Sequence, residues 1–330
     1  MELMGRARDV LKGESWLPTP LLHSSVAGPR LGIDLWLKRE DVTPVGSFKL
    51  RGGLVAMALR TGDDLSNGVY GASAGNYGLA IAEAGRRADV KVTIVVPEGA
   101  NPSKVERILA TGASVIEHGS DFDTAKDHAR AIAEDVGAAF WEDGVIEEMA
   151  LGASSIGFEL IESGIDWDWV LVPVGNGSLI KGIASAFRDK SPTTPSARKT
   201  KIIGLVSTGA PVMASAIAGE PFDPQMAKEA STKTEADGLD VRVPIMEISR
   251  EIGELVDGVW LVPEETLIPA VRSFMDLEQV MVEPSAAITL AACAQHREEL
   301  AGARVALIVT GAHLRSSLLE TVANSKGLQI

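Results

Sequence analysis

The chain has 330 residues, 45% of them hydrophobic and only 5% aromatic, enough to bury a substantial core divided between two lobes. A formal net charge of −14 argues against a nucleic-acid partner, whose readers cluster Lys and Arg on one face. The single Cys293 excludes an intramolecular disulfide and a Cys-based zinc site. The charged segment after Met1 is unlike a signal peptide, and no apolar stretch reaches the roughly 18 residues of a membrane span, so the expected location is the cytoplasm.

After Pro18-Thr19-Pro20-Leu21, residues 33–38 alternate apolar and polar side chains and predict a strand. A loop follows, Glu40-Asp41-Val42-Thr43-Pro44-Val45-Gly46, and Ser47-Phe48-Lys49 opens a helix that runs to about Arg60. Residues 68–72 predict a short buried strand, and Leu79-Ala80-Ile81-Ala82 belongs to the next helix. The nearly continuous apolar run 90–96 has the pattern of a strand covered on both faces. A helix (101–109), a strand (114–116), a helix (121–136) and a strand (138–141) follow. A second series starts with a helix at 157–161 and the strand 169–174, which runs into Gly175-Asn176-Gly177-Ser178 and a helix from about Leu179. Further buried strands are predicted at 202–207, 258–262 and 304–310, with a Pro/Thr/Ser loop at 191–196. Strands alternating with helices imply βαβ units and parallel sheets. The predicted fold is therefore α/β, with two open, mostly parallel twisted sheets, helices on both faces and a ligand cleft between two lobes. The larger lobe is expected from residues 1–67 and 148–330, the smaller from 68–147.

Ligands of open α/β sheets sit at the carboxyl ends of strands, where loops meet helix N-termini. Four loops qualify. Lys49 stands in the first; position alone fits a solvated lysine, whereas a lysine beside the positive end of a helix is also a candidate for Schiff-base chemistry. The second, Ser73-Ala74-Gly75-Asn76-Tyr77-Gly78, fits either an ordinary N-cap and turn or a carboxylate site built from backbone amides. The third, Gly175-Asn176-Gly177-Ser178-Leu179, offers amides and a hydroxyl to a phosphate; Gly175, Gly177 and Gly182 also partly match a dinucleotide fingerprint, without its standard spacing or its downstream acid. The fourth, Val309-Thr310-Gly311-Ala312-His313, ends the last strand.

Together the loops resemble the pyridoxal-phosphate enzymes of the tryptophan-synthase β fold (fold type II), and among them the threonine/serine dehydratase group. The segment from Lys38-Arg39-Glu40-Asp41 through Ser47-Phe48-Lys49-Leu50-Arg51-Gly52 is similar to that group's Schiff-base segment. Ser73-Ala74-Gly75-Asn76 resembles its asparagine loop, residues 175–179 its phosphate cup, and Glu283-Pro284-Ser285-Ala286-Ala287 another family segment. The resemblance spans roughly residues 16–315 in the family's order. It implies a homodimeric lyase using pyridoxal 5′-phosphate, with a small amino acid as substrate; some relatives have a cation site near the counterpart of Thr234-Glu235-Ala236-Asp237, but no metal ligand is assigned in this chain. Lys49 would carry the cofactor and move the Cα proton, with Phe48 beside it. Asn76 would bond the 3′-hydroxyl, while Gly175, Asn176, Gly177, Ser178 and Leu179 would hold the phosphate. Thr310 would meet the pyridine nitrogen with a neutral hydroxyl. Ser73, Ala74, Gly75, Asn76 and Tyr77 would bind the substrate carboxylate. The reaction implied is α,β-elimination from L-threonine or L-serine to a 2-keto acid and ammonia. The nearness of Thr310 to the end of the sequence implies a chain without a C-terminal regulatory domain.

Departures from the pattern bear on the substrate. Related serine racemases carry a second serine, acting as a base, where Ala74 stands, and alanine cannot move a proton. Dehydratases usually have histidine in the place of Tyr77. Gly152-Ala153-Ser154-Ser155 lacks their glutamine, and Asn176 replaces a glycine of their phosphate loop. These two features lean toward a threonine synthase-like or β-replacement enzyme, whereas Lys49-Leu50-Arg51 reads as dehydratase. A nucleotide-binding oxidoreductase is the rival from another class. His118, His128 and His296 are expected on the surface, His313 partly buried, Cys293 in a helix core, Glu147-Glu148 in an acidic loop, and Thr234-Glu235-Ala236-Asp237 in a solvated turn.

Overall fold

Strands alternate with helices through the computed structural model, which describes residues 2–60, 65–189, 199–223 and 232–330. The loop expected at 191–196 lies outside the described residues. In chain order the main elements are α1 (Glu2–Leu11), β1 (Leu21–His23), α2 (Ala27–Leu31), β2 (Asp34–Arg39), α3 (Lys49–Leu59), β3 (Val69–Ala72), α4 (Asn76–Ala88), β4 (Val92–Val96), α5 (Pro102–Leu109), β5 (Ser114–Glu117), α6 (Phe122–Asp135), β6 (Ala139–Phe140) and α7 (Glu147–Glu162). They continue with β7 (Trp169–Pro173), α8 (Ser178–Arg188), β8 (Lys201–Ser207), α9 (Val212–Ile217), α10 (Met246–Leu255), β9 (Gly258–Val262), α11 (Leu267–Ser273), α12 (Pro284–Gln295), β10 (Arg304–Val309) and α13 (Leu319–Asn324).

The chain divides into two compact units. The first comprises residues 1–17 and 43–153. Its sheet has the order β5-β4-β3-β6 with every pairing parallel. Val92, Ile94 and Val96 pack with Val69, Ile81 and Trp141 into a core, the burial that the apolar run of β4 demands. Helix starts follow local capping: Asn101 accepts the Ser103 amide at 3.0 Å with Pro102 next to it, and Asp121 accepts the Thr124 amide at 2.9 Å. Asp121 is thus the cap of α6 rather than its first residue.

The second unit comprises residues 18–42 and 154–330. Its sheet has the order β1-β2-β10-β7-β8-β9, parallel throughout except for the β1–β2 pair. The central strands β7 and β10 are buried along nearly their whole length, as all-parallel strands covered by helices must be. This division differs from the expected lobes: residues 43–67 cluster with 68–147 because α3 packs along α4, and Leu50, Val45 and Ala80 share one cluster. Only residues 18–42 of the N-terminal segment join the second unit, where β2 pairs with β10.

Helix α7 starts at Glu147, ten residues ahead of the predicted 157. Glu147 and Glu148 form its first turn instead of a loop, where acidic side chains suit the helix dipole, and Glu148 pairs with Arg60 at 3.1 Å. The run Gly152-Ala153-Ser154-Ser155, ahead of the predicted start, lies inside the helix, and its small residues permit close packing: a Cβ on Gly152 would stand 2.5 Å from the Gly52 Cα of α3. The histidines expected on the surface are half-buried. His118 stacks on His128 at 3.5 Å, and His296 stacks on Trp260 at 3.8 Å. Cys293 is fully buried in α12, and burial pushes its thiol pKa well up. Among the described residues no helix is long and apolar enough to cross a membrane, and no three His, Cys, Asp or Glu side chains are grouped to hold a metal ion.

Candidate active site

In the first unit, the turn ahead of α3 is locked by Thr43, whose hydroxyl donates to the Ser47 carbonyl at 2.7 Å and accepts the Ser47 amide at 3.0 Å. Phe48 then adopts helical dihedrals and Lys49 becomes the first helical residue. Lys49 is not a solvated surface lysine. Its Nζ donates to both carboxylate oxygens of Asp143 at 2.7 Å, and the two side chains are 14% and 21% exposed. The Phe48 and Tyr77 rings stand 5.1 and 5.9 Å from Nζ, measured to their centroids.

Ser73, Ala74, Gly75 and Asn76 are half-buried in the turn between β3 and α4, and Tyr77 is buried. The Gly75 amide donates to the Ser73 hydroxyl at 3.1 Å, so one amide expected to face a substrate carboxylate is engaged within the loop. Gly75 caps α4 without a side-chain hydrogen bond, and Asn76 opens the helix. The Tyr77 hydroxyl is buried without a hydrogen-bond partner among the described residues. Burial, reinforced by the charges of Asp143 and Glu142, holds its pKa well above the ordinary phenol value, so the ring stays neutral.

In the second unit, β7 delivers Gly175-Asn176-Gly177 to the N-terminus of α8, with Ser178 as the first helical residue. Gly177 has φ +93°, a conformation that disfavours any side chain. Gly175 lies so close to the Gly238 carbonyl that a Cβ would meet its oxygen at 2.5 Å. Ser178 and Leu179 are buried, and Gly175 and Asn176 half-buried. Strand β10 is the parallel neighbour of β7, so Thr310 and the 175–179 loop leave the carboxyl ends of adjacent strands. Thr310 is 4% exposed and its hydroxyl has no partner among the described residues. Its neighbour Gly311 is pressed against the buried Glu283 carboxylate. His313 is half-buried. Glu235 pairs with Arg315 and its amide donates to Glu264, an interaction the solvated-turn reading of 234–237 did not include.

Two features escaped the sequence reading. Asp143 had no motif around it. Ser285 was visible only as part of a family segment, yet its hydroxyl accepts the Gly238 amide at 3.1 Å and so fixes the carbonyl against which Gly175 rests. Ser285→Ala should lower stability by about 1 kcal/mol, the net worth of one such hydrogen bond, and a urea titration showing no loss would contradict this role.

These residues fit pyridoxal phosphate. In the second unit, α8 offers its amides and Ser178 to a phosphate at a loop where Gly175 and Gly177 leave no room for a side chain, and the buried Thr310 hydroxyl, without a partner among the described residues, suits a ring nitrogen; in the first unit Lys49 is a candidate for the amine. The comparisons agree. The family model "Pyridoxal-phosphate dependent enzyme" matches residues 14–311. A threonine dehydratase of Nicotiana attenuata is 32% identical over 310 residues, covering 93% of this chain and 50% of that protein. An L-threonine ammonia-lyase of Thermotoga maritima is 30% identical over 310 residues, covering 94% of this chain and 74% of that protein. The processed form of threonine deaminase isoform 2 from Solanum lycopersicum has the same fold, with a TM-score of 0.86 at 30% identity over 99% of this chain and 94% of that one. The chain thus spans about half the length of the first of these relatives. The family match sets aside the dinucleotide reading of Gly175, Gly177 and Gly182. With the fold, the loops and the match over residues 14–311 in accord, the chain belongs to the family of pyridoxal-phosphate dependent enzymes.

Proposed function

We propose that this protein is an ammonia-lyase that eliminates water from a small hydroxy-amino acid of the L-threonine or L-serine kind, releasing a 2-keto acid and ammonia. The observation that carries the reading is Thr310, a buried hydroxyl without a protein partner among the described residues at the carboxyl end of β10. A neutral group facing the pyridine nitrogen leaves the ring less electron-poor than an acid would, which favours prompt elimination over transamination. Likeness to threonine dehydratases and ammonia-lyases over most of the chain supports the same choice. When bound, pyridoxal phosphate supplies a sink for the electron pair of the substrate's Cα–H bond.

The chain's own residues divide the remaining work. Lys49 would carry the cofactor and serve as the base for the Cα proton. Asn76 would bond the 3′-hydroxyl, with Phe48 beside the lysine. Gly175, Asn176, Gly177 and Leu179 would give their amides to the phosphate, and Ser178 its hydroxyl. The loop Ser73, Ala74, Gly75, Asn76 and Tyr77 would hold the substrate carboxylate, the Gly75 amide acting by fixing the Ser73 hydroxyl. The buried thiol of Cys293 and the lack of any other cysteine in the sequence support a cytoplasmic enzyme. We infer a homodimer from the family resemblance, to be checked by sedimentation.

The test is keto-acid release, without a second substrate, from a panel of L- and D-serine, threonine, 3-hydroxyaspartate and phenylserine. Release from an L-hydroxy-amino acid is the expected result. No release from any member, in a protein that binds the cofactor, would favour the second reading, a β-replacement or threonine synthase-like enzyme, toward which Asn176 and Gly152-Ala153-Ser154-Ser155 lean.

A further inference from the structure

Lys49 must be a base that lands where the substrate's Cα–H bond is, and its four-carbon side chain is among the most flexible in proteins. We propose that Asp143 is the positioning residue for Lys49: it holds Nζ in place and balances the positive charge that Nζ gains on taking the Cα proton. The inference rests on the ammonia-lyase reading above and adds to it a residue outside the family motifs.

The geometry carries the assignment. Both Asp143 oxygens accept from Nζ at 2.7 Å, a two-point grip that fixes direction as well as distance. The pair is mostly shielded, so salt screens it less than a surface pair. Asp143 itself is held by its surroundings. Trp141, two residues earlier in the chain, is 1% exposed and its amide donates to the Tyr70 carbonyl of β3 at 2.8 Å, while the Val145 amide closes a turn onto the Glu142 carbonyl at 3.1 Å. Other groups nearby are committed elsewhere. Glu142 pairs with Lys126 and Arg130, Arg60 with Glu148, and Tyr77 on α4 is a neutral phenol. In the proton transfer the Cα–H bond breaks and leaves its electron pair on the carbon side, an N–H bond forms on Nζ, and the amine becomes an ammonium. Asp143 accepts a hydrogen bond from that ammonium.

The experiment compares the holoenzyme with Asp143→Asn and Asp143→Glu holoenzymes, with circular dichroism as the check on folding. The first readout is the visible absorption as a function of pH, which reports whether the Lys49 nitrogen in its linkage to the cofactor carries a proton. Loss of a carboxylate in contact with that nitrogen should lower the titration midpoint by about 1–3 pH units, and D143E, which keeps the charge, should recover most of the shift. D143E also serves as the test should the asparagine variant not fold. The second readout is turnover of whichever panel amino acid is active: in D143N kcat should fall about 10- to 100-fold with KM within about threefold, less than the roughly 100- to 10,000-fold contribution of a general acid–base group itself. A D143N midpoint equal to that of the unaltered enzyme overturns the assignment whatever the kinetics show. An unaltered protein with no Lys49-dependent visible band would overturn the underlying cofactor reading instead.

Discussion

Lys49→Ala should remove covalent cofactor attachment altogether and lower keto-acid release by about a hundred- to ten-thousandfold or more, because the variant loses both the anchoring amine and the base. Borohydride reduction of the unaltered holoenzyme followed by peptide mapping should place pyridoxyl on Lys49, and the same treatment of the variant should leave the peptide unmodified. Alanine is a good helix former at this first position of α3, and a thermal melt separates the loss of chemistry from the cost of taking Lys49 away from the Asp143 carboxylate. Covalent pyridoxyl on another lysine, with turnover retained in the variant, would remove Lys49 from the mechanism.

Gly175→Val is the second large effect, and it acts on affinity. The new Cβ would stand 2.5 Å from the Gly238 carbonyl oxygen, a backbone atom that Ser285 ties down, so the loop rather than its neighbour must move. Overpacking of this kind costs about 1–3 kcal/mol, which on the affinity scale is about 5- to 150-fold weaker cofactor binding. Titrating the apoprotein with pyridoxal phosphate and following the visible band measures it. Binding as tight as that of the unaltered protein would show that residues 175–179 do not hold the phosphate.

Much of this architecture was legible because parallel strands announce themselves. Residues 92–96, 169–173 and 304–309 are apolar runs bounded by polar or turn-forming residues, and they have no stable place except the middle of a covered sheet. The positions of the loops followed from the same pattern: glycines and small polar residues between such a strand and a helix mark the turn at a strand's carboxyl end, where ligands of open sheets bind. Where the reading failed, the deciding contacts were tertiary. Helix α7 begins early because Gly152 meets Gly52, two residues whose proximity no local pattern encodes. The allotment of residues 43–67 turned on the packing of α3 along α4. Asp143 lies 94 positions from Lys49 in a segment without repeat, motif or periodicity, so its role emerges only when the chain is folded. The histidine stacks were invisible for the same reason.

The order of strands in the second sheet has a consequence for how the protein is made. Strand β2 (Asp34–Arg39) lies between β1 and β10 (Arg304–Val309), so its two neighbours come from widely separated parts of the sequence. On the ribosome, β2 therefore keeps one edge unpaired, and Leu35 and Leu37, buried in the folded structure, exposed to neighbours, until β10 has emerged 265 residues (39 to 304) later. The segment that forms the first unit is complete much earlier and contains every pairing its own sheet requires. Emergence of the nascent chain thus separates two folding events in time, and the interval between them is when a chaperone holding residues 18–42 would do most to protect yield.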